Sequence, residues 1–535
     1  MIFKLENDLT ALQNQTKMQK RTIVAILILL YSMGIYTQAL AQEQNPIFSY
    51  TISIPSPATH SYNVSLHSSG WLQDTVQLKM PKWMPGYYQI MNYANDLSDM
   101  IATNEQGMTL PLKKINENTW ELTGIKQQDF TLAYTIKTSK QFVANSYVDA
   151  DHAYLIPGNS FLYADGFLNT PVSVTIINPA PWPNIATGLA TMANHTDVFM
   201  APDFDILYDS PFLLGNLEAL SSFKVGNKNH HFIGYQLGTF DKTSFIEKLA
   251  AIVTSGSEII GDIPYKNYTF IAIGPGRGGI EHLNNTTISF DGNQLDTEEK
   301  MNKMMNFLAH EYFHHYNVKR IRPFEVGPFD YDNGSKTNLL WVSEGLSVYY
   351  EYLIVKRAGL STEKILFENL ENNINTVENN PGRHYQSLVQ ASFNTWKEGP
   401  FGAQGEEKGK TISYYEKGPL VGLLLDFAIR HATQNEKSLD KVMQFLYEEY
   451  YQKKERGFTD AEFRQACETI AGTSLAPVFE YVYTTKELDY STYLKYAGLE
   501  LLTTSDAAQK KKFSIQRISN PNALQLRILS SWLGN

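Results

Sequence analysis

The chain has 535 residues, too many for one ordinary hydrophobic core, so two substantial domains and a smaller piece are expected. A hydrophobic content of 43% and an aromatic content of 13% exclude a disordered protein, and a net charge of −10 excludes the basic footprint of a nucleic-acid binder. Cys467 is the only cysteine, so no intrachain disulfide can form, and its setting in Phe463-Arg464-Gln465-Ala466-Cys467 reads as a buried small hydrophobe.

Near the N-terminus Lys17, Lys20 and Arg21 precede an apolar run over 23–35, and Ala39-Leu40-Ala41 supplies the small residues of a cleavage site. Residues 1–41 therefore read as a signal peptide cleaved after Ala41, which sends the protein to a bacterial periplasm or the extracellular space without a stable membrane anchor. The alternative is an uncleaved signal anchor, but the run is shorter than the roughly 20 residues a spanning helix needs. Met18 offers a second, more conventional start. No cysteine lies near the cleavage site, which excludes a bacterial lipid anchor.

Residues 42–238 read as an antiparallel β domain. Tyr50-Thr51-Ile52-Ser53-Ile54, Tyr62-Asn63-Val64-Ser65-Leu66, Thr119-Trp120-Glu121-Leu122 and Val172-Ser173-Val174-Thr175-Ile176 alternate and are rich in β-branched and aromatic residues. Turns such as Ser69-Gly70 and Pro85-Gly86 separate runs of this kind, and the Pro-rich piece Trp83-Met84-Pro85-Gly86-Tyr87-Tyr88 reads as an ordered loop packed on them.

Composition shifts near Asp241, and 239–505 read as a mainly helical domain with a short sheet. Residues 245–260 have helical periodicity, and Tyr268-Thr269-Phe270-Ile271-Ala272-Ile273 is a strand. Gly274-Pro275-Gly276-Arg277-Gly278-Gly279 then matches the G-x-G-x-x-G pattern, but a dinucleotide site needs a helix opening at those glycines, and Thr286-Thr287-Ile288-Ser289-Phe290 reads as another strand. Further helices are expected over 340–357, 420–431, 439–451 and 460–471, the last closed by Gly472.

The chemistry concentrates in His310-Glu311-Tyr312-Phe313-His314, a complete H-E-x-x-H motif. Asp296-Thr297-Glu298-Glu299 starts a helix on which Met301, Met304, Met305, Leu308 and Tyr312 form an apolar stripe, with His310 and His314 roughly opposite. Residues four apart share a helix face, so the two imidazoles can hold one metal, with Glu311 beside it. A zinc so held lowers the pKa of its bound water to about 7, and the carboxylate can take the proton as the water attacks a peptide carbonyl. A catalytic zinc usually has a third protein ligand. Glu344, among the apolar and aromatic residues of Trp341-Val342-Ser343-Glu344-Gly345, is best placed, and Glu351, two turns on, is the alternative.

H-E-x-x-H followed by W-x-x-E-G resembles the gluzincin metallopeptidases. The extension His315-Tyr316-Asn317-Val318-Lys319-Arg320-Ile321-Arg322-Pro323 closely resembles the glycyl aminopeptidase family. Trp83-Met84-Pro85-Gly86-Tyr87, Gly278-Gly279-Ile280-Glu281-His282 and Tyr414-Tyr415-Glu416-Lys417-Gly418 support the same resemblance. It implies an α+β multidomain fold, an N-terminal antiparallel β domain followed by a thermolysin-like catalytic domain. It also implies one Zn2+ per chain on His310, His314 and Glu344, with Glu311 as general base and Tyr415 donating to the oxyanion of the tetrahedral intermediate. Asn317 would orient a ligand or the helix end.

Peptides would be the substrates, cut from an N-terminus bearing a small residue such as Gly or Ala. Glu281 would hold the substrate's ammonium, and Gly278 and Gly279 would let its backbone approach. A zinc endopeptidase and a non-catalytic peptide-binding or chaperone-like protein are the competing readings. Members of the family often carry a C-terminal PDZ domain, for which the residues after Gly498 are too few. Residues 506–535 are therefore expected to form a tail or PDZ remnant, with strands at Lys512-Phe513-Ser514-Ile515-Gln516 and Leu524-Gln525-Leu526-Arg527-Ile528-Leu529.

Overall fold

A computed structural model describes residues 45–179, 181–407, 409–505 and 511–535. The expected signal peptide lies outside the described residues, among which no helix is long and apolar enough to cross a membrane.

Alternation of apolar and polar residues builds the N-terminal sheets. Ser61–Ser69 buries Tyr62, Val64, Leu66 and Ser68, and its neighbour Phe130–Lys137 buries Phe130, Leu132, Tyr134 and Ile136, so one face of the pair is continuous core. These strands belong to a seven-stranded sheet in which Ile47–Ser53 pairs in parallel with Val172–Ile177 while the other pairings are antiparallel. Two four-stranded sheets complete the domain. The loop after Thr75–Lys79 keeps Met84 in this domain's core but reaches the helical domain with Trp83 and Tyr88. Trp83 lies edge-on to Trp396 at 4.9 Å, and Tyr88 packs into the core of the helical domain.

The second domain opens with a β-α-β crossover. Lys228–Gly234 runs parallel to Asn267–Ala272, and the helix Lys242–Ile260, capped by Asp241 on Ser244 N, joins them. Lys228–Gly234 was read from sequence as part of the β domain ending at 238; its pairing puts it in the second domain's sheet, because alternation does not reveal which sheet a strand joins. Asn285–Ile288 continues the parallel order, and Gly279–Glu281 pairs antiparallel with it as the edge strand. The glycine-rich segment thus runs into a strand and not a helix.

The helices pack on this sheet. Besides those expected, Glu363–Glu378, Leu388–Glu398, Ala476–Tyr483, Tyr490–Tyr496 and Ala523–Leu533 are helical. The last of these corrects two expectations. Leu524 to Leu529 is not a strand: Asn522 and Gln525 form a capping box that starts a helix. Nor does the C-terminal segment hang free as a tail. The hairpin Leu499–Ser505 with Lys511–Arg517 lies against the helix Glu363–Glu378, and Trp532 is fully buried, donating to Tyr349 Oη at 2.9 Å.

Candidate active site

Thr297 caps the helix Glu298–Phe313 by accepting from Lys300 N at 3.3 Å, and two acidic residues fill its first turn. Met301, Met305, Leu308 and Tyr312 bury one side, and His310, Glu311 and His314 are buried on the other. The next helix begins with a π-helical turn, Trp341–Gly345, before Leu346–Arg357 becomes regular. That wider turn carries Glu344 toward the histidines, a placement π-turns often serve at functional sites. Gly345 makes it possible: a Cβ there would lie 2.7 Å from Gly418 Cα, so the bare backbone lets this turn nest on the helix Tyr414–Ala432, which carries Tyr415.

His310, His314 and Glu344 each offer one ligand atom, and these lie within 4.8 Å of one another. Glu344 Oε2 is 3.3 Å from His314 Nε2 and 3.7 Å from His310 Nε2, and the two Nε2 atoms are 2.9 Å apart. Two imidazole nitrogens and a carboxylate converging so closely suit a tetrahedral zinc, whose nitrogen ligands would stand roughly 3.3 Å apart. Burial opposes the charge of Glu344, yet His314 and His310 hold its carboxyl well below the usual range.

The far nitrogens are also engaged. His314 Nδ1 is 2.8 Å from Asn317 O and 3.3 Å from Ser347 Oγ. Asn317 Nδ2 donates to Val342 O, Ser343 O and Ser347 Oγ at 2.8 to 3.0 Å, tying the exit of one ligand helix to the start of the other. His310 Nδ1 lies 2.9 Å from Glu351 Oε2, an ion-pair approach too bent to satisfy hydrogen-bond geometry. Glu351, the alternative third ligand in sequence, thus faces the outer nitrogen of His310, whereas Glu344 faces the inner one.

Burial pushes the Glu311 carboxyl up to about 7, offset in part by both histidines and reinforced by Glu281 and Glu344. Thr286 Oγ1 donates to Glu311 Oε2 at 3.4 Å, and Gly279 makes room for the carboxylate, since a Cβ there would stand 2.4 Å from Oε1. Glu281 ends the edge strand, 4% exposed, with Oε1 lacking a hydrogen-bond partner among the described residues. The left-handed Gly86 of the β domain lies against it: a Cβ would stand 2.9 Å from Oε2. Gly278 is also left-handed and backs onto Val143.

Beside these groups is a cavity of about 140 Å³ lined by Tyr87, Tyr88, Phe142, Phe401, Tyr414 and Tyr415 together with Gly278 and Gly279. The Tyr415 ring is 6.2 Å from that of His310. The phenols of Tyr415 and Tyr88 are both raised, by burial first and then by Glu344. Sequence reading missed Tyr88 as a site residue, because a loop in the β domain gave no sign that it crosses into the other domain; the Trp-Met-Pro-Gly-Tyr pattern was the one available signal.

The fold and the metal-binding cluster define a zinc metallopeptidase. Residues 49–216 match the family model described as the Peptidase M61 N-terminal domain, and residues 303–421 match that of the M61 glycyl aminopeptidase. The chain belongs to the M61 glycyl aminopeptidase family.

Among solved structures it is similar to an aminopeptidase N family protein from Idiomarina loihiensis, with 25% identity, a TM-score of 0.81, and coverage of 86% of this chain and 80% of that one. The M1 zinc metallopeptidase of Deinococcus radiodurans shares the fold at 11% identity and a TM-score of 0.50, over 83% of this chain and 96% of that one. A mutant of that enzyme bound to a Tyr-Ser-Ala substrate gives 13% identity and a TM-score of 0.51, over 83% of this chain and 95% of that one. No curated protein matches the chain in sequence.

Proposed function

We propose that this zinc peptidase is an aminopeptidase that binds one zinc per chain on His310, His314 and Glu344 and prefers a small N-terminal residue. A zinc ion there supplies Lewis acidity and an activated water. Glu311, buried beside both histidines, takes the water's proton, as a carboxylate positioned next to the metal-bound water can. Tyr415 donates a hydrogen bond to the carbonyl oxygen as negative charge develops there, a contribution of about 3 to 4 kcal/mol for a donor in a dry site. Gly278 and Gly279 let the substrate backbone lie along the edge strand.

The observation that carries the exopeptidase reading is Glu281. A buried carboxylate with an unpartnered oxygen, beside the cavity and 2.9 Å from where a Cβ on Gly86 would stand, calls for a cationic partner, and a substrate's α-ammonium supplies it. The preference for Gly or Ala at the first position rests on the match to the glycyl aminopeptidase family model. We further propose export, which rests on the N-terminal leader pattern alone.

The test compares amino-acid amides with their N-acetylated forms. Free-amine substrates are expected to be cleaved at least about tenfold faster, and Glu281→Ala is expected to raise their KM with zinc content unchanged. Equal cleavage of blocked and free substrates would make the enzyme an endopeptidase.

A further inference from the structure

A second cavity, of about 620 Å³, shares no lining residue with the one beside Glu281. It lies where the segment leaving the metal-binding helix, Val318 to Arg322, meets the β domain at Asp205 and Ile206 and the helical residues Tyr447 and Tyr451.

Most charged groups around it already have a polar partner; Glu455, exposed at its rim, has none among the described residues. Lys319 Nζ is 2.8 Å from Asp209, Arg456 forks onto Glu462 at 2.7 and 2.9 Å, Asp262 accepts from Tyr447 Oη at 2.7 Å, and Asp205 accepts from Tyr331 Oη. Two guanidinium groups are not matched. Arg320 is 3% exposed, and its nitrogens meet only uncharged groups: Leu283 O, His315 O and Nδ1, Pro264 O and Asn284 Oδ1. Its buried Nε has no partner among the described residues. Arg322 makes no hydrogen bond or ion pair among the described residues. It lies against bare backbone, for a Cβ on Gly327 would stand 2.4 Å from its Cζ. Burial lowers the Arg322 pKa, with Asp205 the chief opposing influence.

We propose that this cavity is a second ligand site that takes a small carboxylate-bearing organic anion on the guanidinium of Arg322, with the buried charge of Arg320 beside it. A guanidinium presents two parallel donors matched to two oxygens of one carboxylate, and such charge-assisted pairs are the strong ones. Phe329, Tyr447 and Tyr451 supply apolar walls for the ligand's body, with the Arg320 guanidinium 5.8 Å over the Tyr451 ring. The shared chemistry is an oxyanion, so inorganic phosphate is the rival occupant. The site does not depend on the aminopeptidase reading, although it adjoins the metal centre. Val318, a β-branched residue at φ 125°, links Arg320 to Asn317, whose carbonyl faces His314.

Calorimetric titration of the full, zinc-loaded chain tests the proposal with three probes: N-acetyl-tyrosine, its amide and inorganic phosphate. N-acetyl-tyrosine is expected to bind saturably, equally well after chelation of the metal, while its amide does not bind. Arg322→Gln is expected to weaken binding at least about tenfold. Ile206→Trp, which fills the cavity from the half-buried β-domain side, is expected to abolish it and serves if Arg322→Gln does not fold. Three results overturn the proposal: binding lost with the metal, binding unchanged in both variants, or a site that takes phosphate and not N-acetyl-tyrosine.

Discussion

At the scale of single residues, two glutamates seven positions apart on one helix have different surroundings. Glu344 faces the inner nitrogens of both histidines, and Glu351 approaches only the outer nitrogen of His310. Removing a metal ligand abolishes the site, whereas removing a partner of a ligand typically lowers metal affinity about 10- to 100-fold. Glu344→Ala is therefore expected to yield zinc-free protein, and Glu351→Gln to keep zinc at saturation but lose it to a weaker chelator. Equal zinc loss in the two variants would return Glu351 to the ligand set. Glu311→Gln and Tyr415→Phe are expected to keep zinc and lower kcat, the first nearly to background; an unchanged kcat in Tyr415→Phe would leave that residue a packing role. The two histidines of the metal-binding cluster were legible in sequence, because spacing on a helix is a local property; Glu344, on the next helix, was assigned over Glu351 only by the family resemblance. The role of Glu351 was not legible, since the outer nitrogen of His310 has to find its partner across two helices.

At the scale of elements, Asp209 of the β domain holds the segment leaving the metal-binding helix. Asp209 pairs with Lys319 at 2.8 Å, with His282 Nδ1 at 3.0 Å, and accepts from Leu283 N at 2.6 Å. It thereby joins the exit of that helix to the strand ending in Glu281. Burial opposes its charge, but Lys319 and His282 bring its carboxyl down to about 2. Because the folded value lies below the unfolded one, near 3.9, this stability is fully present above about pH 4 and fades as pH falls toward 2. Asp209→Asn is expected to cost at least about 2 kcal/mol at pH 7 in urea unfolding, with the gap to wild type narrowing between pH 5 and pH 3. A gap independent of pH would mean that the carboxylate's charge plays no part. Helix periodicity revealed the metal-binding helix and the helix Asp460–Ala471 directly from sequence. It could not reveal the π-helical turn at Trp341–Gly345, whose extra width comes from nesting against Gly418 and not from any local pattern.

At the scale of the whole molecule, the C-terminal helix helps complete the core around the Glu344 helix. Trp532 packs at 5.1 Å from Phe427 and donates to Tyr349 Oη, which in turn donates to the buried Asp426. Arg357 and Arg430 reach Trp532 O and Ser531 Oγ. Trp532→Ala is expected to destabilise by about 3 to 5 kcal/mol, read as a marked fall in Tm. A fall of less than about 2 °C would restore the picture of a dispensable tail. Sequence could not show this docking, because a short amphipathic stretch reads as strand or helix until its capping box and its partner surface are known. The β domain is likewise more than a support. Its Gly86 lies on Glu281, and its Tyr87 and Tyr88 line the small cavity. The helical domain is therefore not a portable cassette: severed at the junction it would keep His310, His314 and Glu344 and lose a wall of the small cavity. If that cavity reads the substrate, as proposed, grafting another Trp83-to-Tyr88 loop is expected to change selectivity while leaving His310, His314 and Glu344 in place.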